Sequence, residues 1–209
     1  MDKQQALRNL EEEMTANKNL PLSTNLVFGE GNPEAEVLFI GEAPGRDEDI
    51  QKRPFVGRSG QLLRKNIRDL GWKEEDVYIS NIVKRRPPEN RDPLPEEIDA
   101  YKPYLARQID IINPKIIVTL GRFSMNYFLP SAKITRDQGK LFKYGSRFVV
   151  PFLHPAAALR GNEMMMLFQD SFKKLPAAIK KCNELISEKN LGGNSDIENE
   201  KEPEQVRLP

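Results

Sequence analysis

Four short runs of almost uninterrupted apolar residues, separated by stretches with helical periodicity, constrain the fold of this chain most strongly. The runs cover residues 37–40, 77–83, 116–120 and 148–153. Strands that are buried on both faces of a parallel sheet have this continuous apolar character. Apolar residues recur at helical spacing near the N-terminus and over residues 61–70, 95–112, 122–128 and 165–179. Strands that alternate with helices predict an α/β fold, a three-layer α/β/α sandwich around a central four-stranded parallel sheet.

Composition separates the chain into a globular part and a polar tail. Hydrophobic residues make up 38% and charged residues 30% of the 209 residues. This apolar share is low for a compact domain, yet it is far above that of a disordered chain. Residues 183–209 lack aromatic side chains and hold seven acidic but only three basic residues. We therefore predict one α/β domain over residues 1–182 and a disordered acidic tail over residues 183–209.

The apolar runs and the cysteine count argue against several classes of protein. No apolar run approaches the ~18 residues of a membrane span, and the N-terminus lacks the pattern of a signal peptide. We therefore expect a cytoplasmic protein with no membrane partner. The only cysteine, Cys182, can form neither an intramolecular disulfide nor a zinc or iron–sulfur site by itself. The only histidine, His154, weakens any histidine-rich metal site, so we predict no metal and no other cofactor.

Unusual residues follow each of the four predicted strands. They lie in segments 41–45, 81–91, 121–122 and 154–160. In open α/β sheets, ligands bind outside the carboxyl ends of the strands. We therefore expect these four segments, which are distant in sequence, to meet at one edge of the sheet and to form a single site.

Two loops after the first strand have residues that suit a ligand. The sequence GEAPG at residues 41–45 permits a tight turn and a close backbone approach, but it matches neither a Walker loop nor a dinucleotide-binding motif. An ordinary strand-to-loop turn is the alternative interpretation. Phe55, in a polar loop rich in proline and glycine, offers a rigid face on which a base can stack. The alternative is that this ring only pins the loop to the core.

Asn81 ends the second predicted strand and is followed by a basic loop. Its carboxamide offers a donor and an acceptor together, which suits the edge of a nucleobase. Four cations follow on the proline-stiffened loop: Lys84, Arg85, Arg86 and Arg91. Because the loop leaves the expected ligand edge, these cations are suited to contact phosphates of a nucleic acid. A solvated surface loop is the alternative.

His154 lies at the end of the fourth predicted strand and is followed by Pro155. A lone histidine is more often structural than catalytic. Its position at the same edge as the other three segments favours a functional role.

Taken together, the motifs resemble those of a known family. The sequences GEAPG, PFVGRSG, NIVKRRPPENRDP, TLGR and HPAAALR occur in the order and at the separations typical of the family 4 branch of the uracil-DNA glycosylase superfamily. The resemblance runs from about residue 26 to residue 175. It implies an enzyme that hydrolyses the N-glycosidic bond of deoxyuridine in DNA, releases uracil and leaves an abasic site.

The resemblance also implies roles for residues of the first two strands and their loops. The backbone around Gly41 and Ala43 would line the uracil pocket and position the attacking water, with Glu42 beside it as the candidate for activating that water. Glu48 would lie near C5 of the base and exclude the methyl group of thymine. Phe55 would stack on the flipped uracil.

Two further residues would read the base, and others would contact the DNA. Asn81 would bind the uracil N3–H and O4, and His154 would donate a hydrogen bond to O2. Leu159 and Arg160 would approach the gap that the flipped nucleotide leaves. The full set of predicted DNA contacts is Lys84, Arg85, Arg86, Arg91, Arg122, Leu159 and Arg160. The expected partner is uracil-containing DNA, single- or double-stranded, and the protein is expected to be a monomer.

The chain departs from the family at the cofactor. Members of the family usually hold a [4Fe–4S] cluster on four cysteines, two of which would fall at Arg85 and Tyr101 here. Residues 1–30 also contain no cysteine. We therefore expect no cluster, and we expect Arg85 and Tyr101 to rebuild that corner by packing and hydrogen bonding.

Two other functions remain as alternatives at this point. A catalytically inactive module that binds uracil-containing or damaged DNA would keep Phe55 and Asn81 but would not need His154 in working geometry. A nucleotide-binding α/β protein unrelated to repair is disfavoured, because no phosphate-binding loop of known mechanism is present.

Overall fold

A computed structural model describes residues 2–191 and 203–208 of the chain. The residues group into two compact units, Met1–Pro114 and Lys115–Pro209. Elements of the first unit are, in chain order, α1 (Lys3–Ala16), β1 (Glu30–Gly31), β2 (Val37–Gly41), α2 (Arg46–Gln51), α3 (Arg58–Asp69), β3 (Tyr78–Asn81) and α4 (Pro95–Ile112). Elements of the second unit are β4 (Ile116–Leu120), α5 (Arg122–Phe128), α6 (Ile134–Asp137), β5 (Leu141–Tyr144), β6 (Arg147–Phe152), α7 (Pro155–Ala158), α8 (Asn162–Leu191) and β7 (Glu204–Val206).

In the first unit the strands lie in the order β1-β3-β2. Strands β2 and β3 are parallel, with Gly41 opposite Asn81 at their carboxyl ends, whereas β1 pairs with β3 in antiparallel fashion. All five residues of β2 are buried, as the continuous apolar run predicted. Helix α4 lies against β3, where the Ser80 hydroxyl donates to Gln108 Oε1 at 3.0 Å.

In the second unit the strands lie in the order β4-β6-β5-β7. Strands β4 and β6 are parallel, with Leu120 opposite Phe152, and both β6 and β7 pair with β5 in antiparallel fashion. Helix α8 covers β6 through edge-to-face aromatic contacts: the Phe172 ring lies 5.0 Å from the rings of Phe152 and Phe168. These rings pack α8 against the carboxyl end of β6.

The predicted α/β class is confirmed, and all four apolar runs form strands. The count of four strands is only approximate, because the described residues include three further strands, β1, β5 and β7. These are short, and β5 and β7 have mostly exposed or half-buried residues. Strands of this kind carry no continuous apolar run, so the pattern that revealed the others could not reveal them.

The predicted disordered tail is wrong for part of its length. Helix α8 continues to Leu191, and Glu204–Val206 pairs with β5. The helix continues because its apolar stripe does: Cys182 is buried, and Leu185, three residues later, is half-buried. Residues 192–202 and residue 209 of the predicted tail lie outside the described residues. None of the helices described is long and apolar enough to cross a lipid bilayer.

Candidate functional site

Gly41, Phe55 and Asn81 come together at the carboxyl ends of β2 and β3. Gly41 and Asn81 are register partners in the parallel pair. A Cβ atom added to Gly41 would lie 2.5 Å from Phe55 Cζ and 2.8 Å from Phe55 Cε2, and it would also overlap the side-chain oxygen of Asn81. Any side chain at this position would therefore displace the aromatic ring or the carboxamide.

The Asn81 carboxamide is buried, with 2% of the residue exposed. Its Oδ1 atom accepts no hydrogen bond from the residues that the structure describes. A buried acceptor that is left without a donor costs about 1–3 kcal/mol, so such atoms are rare in native proteins and call for an explanation. A ligand that brings an N–H group to this oxygen would remove the cost.

The GEAPG turn is fixed to the segment that leaves β3. The carbonyl oxygens of Gly41 and Glu42 accept hydrogen bonds from the backbone N–H groups of Ile82 and Val83, each at 3.0 Å. The side chains of Glu42 and Ala43 are half-buried on this turn. The turn therefore presents rigid backbone and the Glu42 carboxylate beside the end of β2.

The Glu48 carboxylate joins this turn to the loop of Phe55. It accepts backbone N–H groups of Gly45 at 3.1 Å, Val56 at 2.9 Å and Gly57 at 2.8 Å. A carboxylate with three backbone donors is held in one position. That Glu48 lies beside C5 of a bound base stays a prediction. The sequence did not predict that its carboxylate accepts hydrogen bonds from the loop that follows Phe55.

His154 begins helix α7 in the second unit. Its Nδ1 atom accepts the backbone N–H of Ala156 at 3.2 Å. In a neutral imidazole that accepts at Nδ1, the proton is on Nε2, which is then a hydrogen-bond donor. Gly121, at the end of β4, has φ +94°, and a Cβ atom there would lie 3.0 Å from His154 Cβ. Glycine at this position therefore lets β4 end directly against the histidine.

Lys84 lies in the interior of the first unit, not on its surface as the run of cations had predicted. Its side chain is fully buried, and Nζ donates to Ser80 Oγ and, at 2.5 Å, to Gln108 Oε1. Burial lowers the pKa of this amine from 10.5 to about 7. The prediction that Lys84 contacts DNA is wrong, because a fully buried amine cannot reach a phosphate.

Three of the other predicted DNA contacts form hydrogen bonds inside the first unit. Arg86 Nε donates to Asn90 Oδ1 at 2.6 Å. Arg85 is half-buried and donates to the carbonyl oxygen of Thr24. Arg91 binds both oxygens of the Glu97 carboxylate, at 2.8 and 2.6 Å, and thereby lowers the pKa of Glu97. Arg122 and Arg160 are exposed, whereas Arg86 and Leu159 are half-buried. Their contacts with DNA, and those of Arg85 and Arg91, stay predictions.

The residues present do not fit the four-thiolate cluster of the related family. The chain has one cysteine, and Cys182 is buried in α8 of the second unit. At one of the two family positions, the buried Tyr101 hydroxyl donates to the carbonyl oxygen of Pro21 at 2.7 Å. Burial raises the pKa of Tyr101 against the opposing effect of the nearby Arg85 guanidinium. Among the described residues, no group of three or more acidic, histidine or cysteine side chains is placed to hold a metal ion.

Gly60 and Arg64 adjoin the site but were not predicted. Both lie on the face of α3 that contacts the Phe55 loop, and Arg64 donates to the carbonyl oxygens of Pro54 and Phe55. The sequence holds a signal for them. Gly60, Leu63, Arg64 and Ile67 have the i, i+3, i+4, i+7 spacing of a buried helix face, on which a cation is unusual.

The predicted site residues thus form two groups, one in each unit. Gly41, Phe55 and Asn81 form the first group, together with the GEAPG turn and Glu48. His154 forms the second with Gly121. In each group, a residue at the carboxyl end of one strand lies next to a residue at the carboxyl end of its parallel neighbour. That the two groups act on the same ligand stays a prediction.

The sequence is similar to known proteins over most of its length. A family model described as the uracil DNA glycosylase superfamily matches residues 28–186. The type-4 uracil-DNA glycosylase of Sulfurisphaera tokodaii is 46% identical over 183 residues, which cover 81% of this chain and 83% of that protein. That of Archaeoglobus fulgidus is 44% identical over 73% of this chain and 81% of its own length. The type-4 uracil-DNA glycosylase of Thermotoga maritima is 44% identical over 76% of this chain and 85% of its own length.

Proposed function

The chain belongs to the uracil DNA glycosylase superfamily, and we propose that it is a repair enzyme that hydrolyses the N-glycosidic bond of deoxyuridine in DNA. The products are free uracil and an abasic site. The observation that carries this proposal is the buried Oδ1 atom of Asn81, which lacks a donor among the described residues and lies beside the Phe55 ring. The relatives named as type-4 uracil-DNA glycosylases support the same reaction.

Recognition of uracil follows from the chemistry of the first group. The glycosidic bond is inaccessible inside a stacked duplex, so the nucleotide must flip into a pocket. Asn81 Oδ1 would accept the N3–H of uracil while its amide nitrogen donates to O4. Cytosine has an acceptor at N3 and a donor at the neighbouring position, so the same carboxamide would reject it. Phe55 would supply the stacking surface, worth about 1–3 kcal/mol for a base.

Cleavage depends on stabilising the base as it departs. The sugar becomes cationic and negative charge grows on uracil, mainly on its carbonyl oxygens. The Nε2–H of His154 would donate to O2, an interaction that strengthens as charge develops. One preorganised donor of this kind is worth about 2.7–4 kcal/mol, or roughly 100- to 1,000-fold in rate. Because uracil leaves as an anion, a neutral histidine suffices and no strong acid is needed.

The remaining predicted site residues would position the attacking water or contact the DNA backbone. The rigid turn at residues 41–45 would position the water, and Glu42 is the candidate to activate it. Arg86, Arg122 and Arg160 would contact phosphates, with Leu159 at the gap in the duplex. We propose that the reaction needs no cofactor, that it takes place in the cytoplasm, and that a monomer acts on single- or double-stranded DNA.

Cleavage of an end-labelled oligonucleotide with one uracil tests the proposal. The protein is incubated with it in EDTA, and abasic sites are then broken with alkali. We expect scission at the uracil, none in an oligonucleotide with thymine at that position, and at least a 100-fold slower reaction for Asn81→Ala and for His154→Ala. Binding to the uracil oligonucleotide without scission would instead identify an inactive uracil-DNA binding module. Absence of both would refute the assignment.

A further inference from the structure

Phe55 has a backbone conformation that a bulky residue rarely adopts. Its φ is +53°, in the left-handed region, and 5% of the residue is exposed. A non-glycine residue held there costs of order 1–3 kcal/mol, and it persists only where the surrounding structure enforces it. The contacts that hold Phe55 in this conformation therefore also determine where its ring lies.

Arg64 makes the most direct of these contacts. From the middle of α3, its Nε donates to the carbonyl oxygen of Phe55 at 2.9 Å and its Nη2 to that of Pro54 at 2.8 Å. One planar guanidinium thus binds two consecutive carbonyl groups, which fixes the direction of the peptide plane between them. Only 9% of Arg64 is exposed, so water does not compete freely for these bonds.

The charge of Arg64 is balanced inside the same cluster. Its Nη1 donates to Glu74 at 2.6 Å, and its Nη2 also pairs with Glu30. Each of these carboxylates has a second arginine partner: Arg53 on Glu30 and Arg68 on Glu74. The buried guanidinium is therefore held in place from both sides, and each carboxylate retains a cation if Arg64 is replaced.

Gly60 and Glu48 complete the support of the loop. A Cβ atom on Gly60 would lie 2.5 Å from the Phe55 Cα and would overlap its carbonyl group, so α3 begins directly against the Phe55 backbone. From the other side, the Glu48 carboxylate binds the N–H groups of Val56 and Gly57. These contacts fix the backbone immediately before and after the ring.

We infer that Arg64 is a positioning residue for uracil excision: by binding the Pro54 and Phe55 carbonyl oxygens it enforces the left-handed backbone of Phe55 and so holds the ring over Gly41 and Asn81. This inference rests on the proposed function, in which the ring stacks on the flipped base. Arg64 itself does not touch the base. It acts by keeping the stacking surface in place before DNA binds.

Arg64→Lys tests the inference, with Arg68→Lys as the matched control. Lysine keeps the charge but cannot bond to two carbonyl groups and two carboxylates at once. Arg68 binds the same Glu74 from α3, and its side chain is 54% exposed. We expect kcat/KM on a uracil oligonucleotide to fall roughly 10- to 100-fold in Arg64→Lys and less than twofold in Arg68→Lys. Equal activity in the two variants would overturn the inference.

A Phe55→Ala background distinguishes positioning from a general loss of structure. If Arg64 acts through the ring, Arg64→Lys costs little further activity once the ring is absent, so the two effects are not additive. A full additional loss in the Phe55→Ala background contradicts the inference. Thermal melts of all variants exclude unfolding at the assay temperature, and Arg64→Gln replaces Arg64→Lys if the latter does not fold.

The ¹³Cα chemical shift of Phe55 gives a readout that does not depend on catalysis. It reports the backbone conformation, so it should move away from its left-handed value in Arg64→Lys and stay unchanged in Arg68→Lys. An unchanged shift in both refutes the role of Arg64 even if the protein proves inactive. If wild type excises no uracil but the shift moves as expected, the proposed function fails while Arg64 still controls the loop.

Discussion

Gly41 shows how much of the site depends on a single missing side chain. It lies opposite Asn81 in the parallel pair, with the Phe55 ring close to its Cα. The sequence placed a turn here correctly, because a glycine-rich segment follows an apolar run. It could not show that the glycine separates a ring from a carboxamide, since Phe55 and Asn81 are brought there by different elements.

Replacing Gly41 with alanine should therefore abolish most activity without unfolding the protein. The added methyl group must push aside the ring or the carboxamide, and a displacement of about 1 Å in a positioned group can cost roughly 100-fold in rate. Gly161→Ala is the control, because no atom lies within 4 Å of a Cβ added there. Single-turnover excision rates, with melting temperatures, compare the two. Comparable rates would show that Gly41 does not border the site.

Lys84 shows why a run of charged residues does not by itself predict which side chains are exposed. It begins the sequence Lys84-Arg85-Arg86, and the pattern of charges does not reveal which of the three points inward. Ile82 and Val83 before it are buried, and the chain stays buried through Lys84. Ser80 and Gln108 then provide oxygen acceptors for an amine that is too buried to be well solvated.

The depressed pKa of Lys84 should make the free energy of unfolding depend on pH. The folded-state pKa is about 7 and the unfolded value is 10.5, so between them the unfolded chain binds more protons than the folded one. Stability therefore rises with pH in this window, by about 1–2 kcal/mol between pH 7 and 8.5. Above pH 9 the effect is opposed, because burial raises the pKa of the Cys182 thiol to about 12.

Urea unfolding of wild type and Lys84→Met at pH 7 and 8.5 measures this dependence. Methionine has a similar length and no charge, so the rise should be absent from the variant. A rise of the same size in both proteins would assign it to another group.

At the scale of whole elements, the sequence predicted the buried helices and strands but not the exposed strands. Helix α4 has the predicted bounds, because Pro95 begins it and its apolar residues keep helical spacing up to Ile112. The buried strands β2, β3, β4 and β6 were predicted as continuous apolar runs. The short strands β1, β5 and β7 were not, because a strand whose residues are mostly exposed or half-buried has no such signature.

Strand β7 closes the edge of β5, and its removal should be detectable. Leu141 is fully buried and lies opposite Val206 in this pairing. Deleting residues 203–209 would leave unpaired those N–H and C=O groups of β5 that face β7, and exposed edges promote self-association. We expect the melting temperature to fall by roughly 2–8 °C, self-association to increase, and excision to be retained.

Calorimetry and sedimentation velocity compare that deletion with a shorter one, residues 207–209, which spares the strand. Identical behaviour of the two deletions would show that β7 contributes nothing to stability.

At the scale of the whole molecule, the candidate site residues belong to two parallel strand pairs, one in each unit. Two parallel strand pairs, β2 with β3 and β4 with β6, end in residues suited to a base, and in each pair those residues meet. The sequence allowed the residues at these strand ends to be predicted as candidate site residues, because ligands bind at the carboxyl ends of parallel strands. The spacing of α3 signals that Gly60 and Arg64 are buried, but it does not reveal that they support Phe55. That role depends on the folded loop, which brings the Phe55 backbone against the helix.

The central claim is that Asn81 reads the N3–H of uracil, and excision of 3-methyluracil tests it most directly. Single-stranded oligonucleotides that hold either uracil or 3-methyluracil are compared under single-turnover conditions. Wild type should release uracil at least about 100-fold faster, because the methylated base leaves Asn81 Oδ1 buried without a donor. In Asn81→Ala, uracil release should slow and most of this discrimination should disappear. Equal release of the two bases by wild type, or discrimination unchanged in Asn81→Ala, would contradict the claim.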